Sequence, residues 1–331
     1  MKELKMSYVP YMTCLDFPEI EGYTVERRPL HFGTDASVYE ATRHADDRKV
    51  AIKLVPRERY SDEARFSEIL SKHPGFMPVL EIRWLEEFVM LVFPYMAGGD
   101  LLTLVRQEGP LTSMKTVDIL QGVLTALAFA HSIDISLVDV TIENVLFEEI
   151  SETSFRVKLC DYDQCVFVDP INPLVPWSGL VTRRTRPPEL YRRVDYDPRK
   201  LDIFGVGVMA ALMCSLPKNH SKIITQLAHV TRVTHDDDLI TAPSVLRGFI
   251  NALLAYDPAK RPDISHALVR LREVKACLEQ RSSAHDAKLV DDFFEKFGTT
   301  YDQDPSSLAR LIAEADAIDL RIATDLNVSC T

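Results

Sequence analysis

The 331-residue chain has no excess of positive charge, no paired cysteines and no long apolar run. Lys and Arg number 38 against 49 Asp and Glu, a formal charge of −11, so the global field repels polyanions. That argues against a general binder of nucleic acid or of an anionic membrane surface. The six cysteines, at 14, 160, 165, 214, 277 and 330, form no CxxC pair and no zinc-ligand spacing. Reduced thiols in an intracellular compartment, cytoplasmic or nuclear, are the simplest expectation. The longest apolar run, Phe204 to Cys214, is too short to cross a bilayer, and the first twenty residues contain no apolar core of a secretory signal. Internal repeats and low-complexity runs are also missing. With 46% apolar residues, the chain has enough to bury a large core in one big domain or two smaller ones.

Residues 1–22 read as an irregular leader, since Pro10 and Pro18 interrupt any periodic face. From Tyr23 the texture becomes strand-like. The segments TVERRPLHFG, ASVYEATRH and KVAIKLVP are short and β-branched, separated by Gly or polar breaks, as in consecutive antiparallel strands. Residues 58–72 read as a helix, with Phe66, Ile69 and Leu70 at helical spacing and His73-Pro74-Gly75 as the stop. MPVLEIRWL and FVMLVFPY supply two more strands before the break at Ala97-Gly98-Gly99. Helical patterns then dominate, at 112–132, 200–216, 244–255 and 263–280, around an insert in which NVLFEE and FRVKLCDYD flank a polar turn. Residues 163–199 are non-periodic and rich in Pro and Arg, the mark of a functional loop. Two further amphipathic helices are expected in the tail. Leu289, Phe293 and Phe297 form the stripe of one, closed by Gly298, and Leu308, Leu311, Ile312 and Ala315 that of the other. They either complete the core or offer a face to a regulatory protein partner.

Four polar residues stand at or next to the ends of apolar strands. Lys53 closes Val50-Ala51-Ile52-Lys53, where an ammonium can reach phosphate oxygens. Asp139 and Asn144 lie five apart just before an apolar strand, and Asp161 follows another in Lys158-Leu159-Cys160-Asp161. Phosphoryl transfer requires a carboxylate to position the attacking hydroxyl, and oxygen ligands to hold Mg²⁺ against the phosphates. Taken singly, the Asp and Asn residues read better as turn formers and Lys53 as a solvated strand end.

Their order resembles that of the eukaryotic protein kinase family, from about Tyr23 to Leu278. Val50 to Lys53 is similar to the VAIK strand, Leu137 to Asn144 to the HRDxxxxN loop, and Asp161 to Asp163 to the DFG motif. Pro187-Pro188-Glu189 resembles the APE motif, Asp202 to Gly207 the DxWSxG segment, and Asp257 to Pro262 the late DPxxRP turn. The resemblance implies an α+β, bilobal fold. Its N-lobe would span 23–96 and its C-lobe 97–279, with a helical C-terminal extension over 280–331.

It also implies an ATP- and Mg²⁺-dependent transferase, with Mn²⁺ an alternative metal, acting on Ser/Thr of protein substrates. The same resemblance implies that Lys53 binds phosphates, that Asp139 orients the substrate hydroxyl or takes its proton, and that Asn144 and Asp161 hold the metal. Gly33, Val38, Ala51, Met96 and Asp100 would contact the nucleotide, with Phe93 as gatekeeper. Glu189 would pair with Arg261 in a structural role. For the helical glutamate that pairs with Lys53, counting back from His73-Pro74 favours Glu63 and counting forward from Lys53 favours Glu68. Glu63 shares a face with Phe66 and Leu70, as that contact requires.

The departures from the family weigh on activity. Of the GxGxxGxV loop, His31-Phe32-Gly33-Thr34-Asp35-Ala36-Ser37-Val38 keeps only the middle glycine, and Asp35 puts a carboxylate near anionic oxygens. Leu137 and Val138 replace His and Arg, so Ser178, Thr182 and Thr185 would not switch the protein in the usual way. Thr141 stands where Ser/Thr kinases carry a lysine on the transferred phosphate, and loss of such a donor costs about 10² to 10³ in rate. Asp163 replaces the DFG glycine. The alternative is therefore a catalytically impaired pseudokinase serving as scaffold or allosteric regulator. The cluster Arg183, Arg184, Arg186, Arg192 and Arg193 is either a solvated loop or a site for acidic substrate or phosphate.

Overall fold

The structure is a computed structural model that describes residues 19–32, 36–57, 62–151, 154–176, 186–191, 194–229 and 239–297. The chain divides into two compact units, Met1–Leu278 and Glu279–Thr331. Within the first unit, five antiparallel strands come first in the sequence: β1 (Tyr23–Phe32), β2 (Ser37–Arg43), β3 (Arg48–Pro56), β4 (Glu81–Trp84) and β5 (Phe88–Pro94). Their spatial order is β1-β2-β3-β5-β4, and a single helix, α1 (Glu63–Leu70), interrupts them.

β3 and β5 sit in the middle of the sheet, and both of their faces are covered. Val50, Ile52, Leu54, Met90 and Val92 pack on one side with Tyr39, Ala41, Tyr23 and Ile20. Val55, Val89 and Leu91 pack on the other with Ala64 of α1. Burial on both faces explains why these strands read as nearly continuous apolar runs. The two edges are tied together, because the Tyr23 hydroxyl donates to Glu81 Oε2 at 2.6 Å and Arg83 donates to the Glu21 carbonyl at 2.9 Å. The sheet therefore curls over its first face, and the second is left for α1 and Lys53.

The helical part follows. α2 (Leu101–Glu108) is capped by Asp100, whose Oδ1 accepts from Thr103 N at 2.7 Å, and α3 (Ser113–Ser132) by Thr112. Short strands β6 (Ile135–Ser136), β7 (Val145–Ser151), β8 (Ser154–Leu159) and β9 (Val166–Phe167) carry the polar loops. α4 (Pro188–Tyr191), α5 (Pro198–Met213), α6 (His220–His229), α7 (Ser244–Leu253) and α8 (Ile264–Phe297) complete the element order among the described residues. α5 is buried all round from Leu201 to Met213, as a sequence apolar but for Asp202 and its glycines dictates, and packs on α3 and α7. α2 and α6, which the periodicity did not single out, are short helices of eight and ten residues.

The tail departs from expectation in its first part. A helix ending near Ser282 and a separate one carrying Leu289, Phe293 and Phe297 are replaced by the continuous α8. No glycine or proline occurs between Ile264 and Phe297, so no residue there is able to force a break. The remaining tail helix, together with most of the leader, lies outside the described residues.

Candidate active site

Lys53 lies on β3 with its side chain on the face that receives α1, and the register places His31 of β1, Val38 of β2 and Leu91 of β5 across from it in one row. Its ammonium donates to Glu63 Oε1 and to Asp161 Oδ1, each at 2.7 Å. Glu63 opens α1 and shares the inner face with Phe66, Ser67 and Leu70, whereas Glu68 points to solvent. The helix phase thus puts Glu63, not Glu68, against the lysine. Burial would discharge Lys53, but the attraction of Glu63 and Asp161 outweighs it and holds the pKa above the ordinary lysine value. Glu63 is raised, since its burial outweighs the pull of Lys53. For Asp161 burial also opposes the charge, but Lys53 prevails and the carboxyl stays below its ordinary value. The side chain of Asp161 is 39% exposed, against 2% for Glu63, so the metal-ligand candidate is the more open of the two.

The loop between β6 and β7 is organised by Asp202 of α5. Its carboxylate, fully buried, accepts from Leu137 N at 3.0 Å, Val138 N at 2.7 Å and Ser136 Oγ at 2.7 Å, with His131 Nε2 at 2.9 Å. These bonds hold a tight turn in which Asp139 N donates to the Leu137 carbonyl at 2.8 Å and Val138 takes a φ of 68°. A β-branched residue with positive φ is strained, and the ring of donors around Asp202 keeps it there. Beyond the turn, Asn144 Nδ2 donates to the Asp139 carbonyl at 3.0 Å and to Asp139 Oδ2 at 3.2 Å. With its nitrogen turned to Asp139, Asn144 has its amide oxygen as the end suited to a cation. Thr141 is 5% exposed and brings no cation to the loop.

Val138 is not idle in the arginine position. It packs with Leu190, Tyr196 and Leu201, and Val166 and Val175 lean on the same cluster. Val175 and Tyr196 exchange backbone hydrogen bonds at 2.9 and 3.1 Å. The described parts of the 163–199 segment are thereby seated by apolar contact on the loop that carries Asp139. Ser178, Thr182 and Thr185 lie outside the described residues, as do Arg183, Arg184, Arg192 and Arg193. Arg186 stands over the Tyr191 ring at 5.8 Å.

Of the nucleotide-contact candidates, Val38 and Ala51 are half-buried on the face that bears Lys53, and Phe93 pairs with Ala51 across β3 and β5. Met96 is buried, and its carbonyl accepts from Gly99 N at 3.2 Å. Asp100 commits one carboxylate oxygen to the α2 cap. Phe147 N donates to the Gly99 carbonyl at 2.8 Å, and any Cβ on Gly98 would collide with the Phe147 carbonyl. Gly33 lies outside the described residues. Farther off, Arg261 makes a two-pronged bond to Glu189 at 2.6 and 2.7 Å and also donates to the Ala255 and Lys200 carbonyls.

Two features were not foreseen from sequence. Asp202 was marked by its place in the DxWSxG-like segment, but the donors it gathers from the loop between β6 and β7 were not. The hydroxyl of Tyr162, at 0% exposure, was signalled by the need of any buried phenol for an acceptor.

This fold, with Lys53, Glu63 and Asp161 joined across its two parts, is that of a phosphotransferase of the kinase type. Residues 25–270 match the protein kinase domain family, and the chain belongs to it. It is 28% identical over 260 residues to the serine/threonine-protein kinase ULK3 of Mus musculus, covering 74% of this chain and 53% of that protein. Against the serine/threonine-protein kinase SAPK3 of Oryza sativa subsp. indica it is 24% identical over 251 residues, with 71% and 73% covered. The chain spans about half the length of ULK3. In fold it is similar to Rad53 1-466 solved in complex with AMP-PNP, with a TM-score of 0.59 at 21% identity over 75% of this chain and 64% of that one.

Proposed function

We propose that the protein is an intracellular ATP- and divalent-metal-dependent kinase that phosphorylates Ser/Thr of protein substrates at a reduced rate. The observation that carries this reading is the Lys53 ammonium held between Glu63 and Asp161 at 2.7 Å, on the sheet face that also bears Val38 and Ala51. The residues present suit ATP and Mg²⁺ or Mn²⁺.

In this mechanism Lys53 orients the α/β-phosphates while Glu63 keeps its stem from swinging. Asp161 and the Asn144 amide oxygen would hold the metal, and Asp139, braced by Asn144, would align the substrate hydroxyl and accept its proton. A bound divalent ion supplies positive charge that offsets the phosphate oxygens. Thr141 adds no cation at the transferred group, so transfer is slow by about 10² relative to a site with lysine.

The second reading is a pseudokinase that regulates a partner, with its C-terminal helical extension as a contact surface. It is favoured by Val138 and Thr141, both buried apolar or neutral where the resemblance expects cations. A thermal-shift series with ATP and Mg²⁺ or Mn²⁺ tests the first reading, since a ligand stabilises the form it binds. Stabilisation by metal-ATP, lost in Lys53→Ala and Asp161→Ala, supports the site, and no shift at millimolar nucleotide sinks it. Phosphotransfer abolished by Asp139→Asn then separates an enzyme from a nucleotide-binding scaffold.

A further inference from the structure

Asp161 carries a φ of 66°, in the left-handed region, and so needs support from its surroundings. Two covering bonds fix the chain on either side of it. Before it, Cys160 N donates to the Asn144 carbonyl at 3.0 Å. After it, the Tyr162 hydroxyl reaches back over the turn and donates to the Leu159 carbonyl at 2.8 Å, with the Met77 carbonyl a second acceptor at 3.2 Å. That hydroxyl closes a loop around Cys160 and Asp161. The loop is anchored in turn, because Leu159 N donates to the Gly75 carbonyl at 2.8 Å and Met77 N to the Leu159 carbonyl at 2.9 Å. The Tyr162 ring meets Phe76 edge-on at 6.0 Å.

A phenylalanine would keep that ring contact and lose the reach to Leu159, which makes the hydroxyl a feature of this chain rather than of the motif it resembles. We propose that the Tyr162 hydroxyl is a positioning group that holds Asp161 in the orientation that meets Lys53 and would meet a metal. Tyr162 touches neither nucleotide nor metal and acts only through the backbone of Asp161. The proposal rests on the nucleotide site argued above for its functional half, and on backbone geometry alone for its structural half.

Tyr162→Phe removes one oxygen and preserves the packing, so the fold is retained and the two halves can be read separately. In the nucleotide-free protein, amide hydrogen exchange over residues 160–163 should quicken several-fold while α5 stays unchanged. In ATP titrations with and without Mn²⁺, the metal-dependent gain in affinity should fall by up to about tenfold, the scale of one buried hydrogen bond, with the metal-free affinity unchanged. A merely structural hydroxyl would lower both affinities together or neither. Unchanged exchange at 160–163 overturns the positioning role whatever the nucleotide result. An undiminished metal gain overturns its relevance to the site. If the wild-type protein binds no ATP with or without metal, the kinase reading fails, while the exchange measurement still decides the role of Tyr162.

Discussion

Two acid–base clusters join distant parts of the chain, and they are built to opposite ends. Glu189 and Arg261 meet inside the helical lobe through two parallel bonds, with Arg261 fully enclosed and its remaining donors spent on the Ala255 and Lys200 carbonyls. Lys53 meets Glu63 and Asp161 by one bond each, on elements 10 and 108 residues away. A guanidinium has a rigid planar fork that fits one carboxylate, and once satisfied it offers nothing to a visitor. An ammonium has three rotatable donors, and among the described residues two of them are engaged, so the lysine is able to take on a third oxygen without abandoning these partners. The first cluster is a fixed joint and the second an open one, and the difference lies in the chemistry of the cation as much as in its burial.

That contrast can be broken by substitution. Arg261→Ala should have the largest effect on stability, about 3–5 kcal/mol, because it strands a buried carboxylate. Calorimetry would show this as a large drop in Tm, and a drop no greater than that of a surface substitution would dissolve the contrast. Lys53→Met should cost less, about 1–2 kcal/mol, because Glu63, already pushed up by burial, takes a proton rather than remain charged. Its metal-ATP binding should nevertheless disappear in a titration. If Lys53→Met unfolds the protein as Arg261→Ala does, the open joint is structural after all.

Val138→Ala should cost about 1 kcal/mol and act locally, quickening hydrogen exchange at 166–175 and 194–196 with little change in α7. Treatment of the wild-type protein with a phosphatase should leave that exchange as it was. The smallest effect concerns the sheet edges. Burial and the bond to Glu81 push the Tyr23 phenol up to about 12 from its ordinary 10. A raised folded-state value means the contribution is complete below pH 10 and is lost as pH rises toward 12. Tyr23→Phe should flatten the decline in unfolding free energy over that interval, read from denaturant titrations, by about a fraction of a kcal/mol.

Much of the architecture is written locally. The strands of the sheet follow from β-branched runs with polar breaks, α3 from its Thr112 cap and long periodic face, and α5 from an apolar run too short for a membrane and too long for a strand. The pairing of Lys53 could be narrowed to two glutamates by spacing, and only the phase of α1 separates the buried Glu63 from the exposed Glu68. What sequence did not convey depends on partners remote in the chain. The curl of the sheet rests on Tyr23 meeting Glu81, 58 residues on, and the turn before Asp139 rests on Asp202 gathering donors from 64 to 71 residues before it. The positive φ of Val138 has no local signal at all, since valine is among the residues least suited to it. α8 went unread as one helix because its apolar stripes read as separate segments, although no Gly or Pro between Ile264 and Phe297 enforces a break.

The close seating of Gly98 on Phe147 leaves that position no room for any side chain. A Cβ there would meet the Phe147 carbonyl, and the neighbouring Gly99 carbonyl is bonded to Phe147 N, so this end of the connection that follows β5 is welded to β7. A Gly98→Ala substitution would have to push the β7 backbone aside, disturbing the joint from a position that has no side chain of its own.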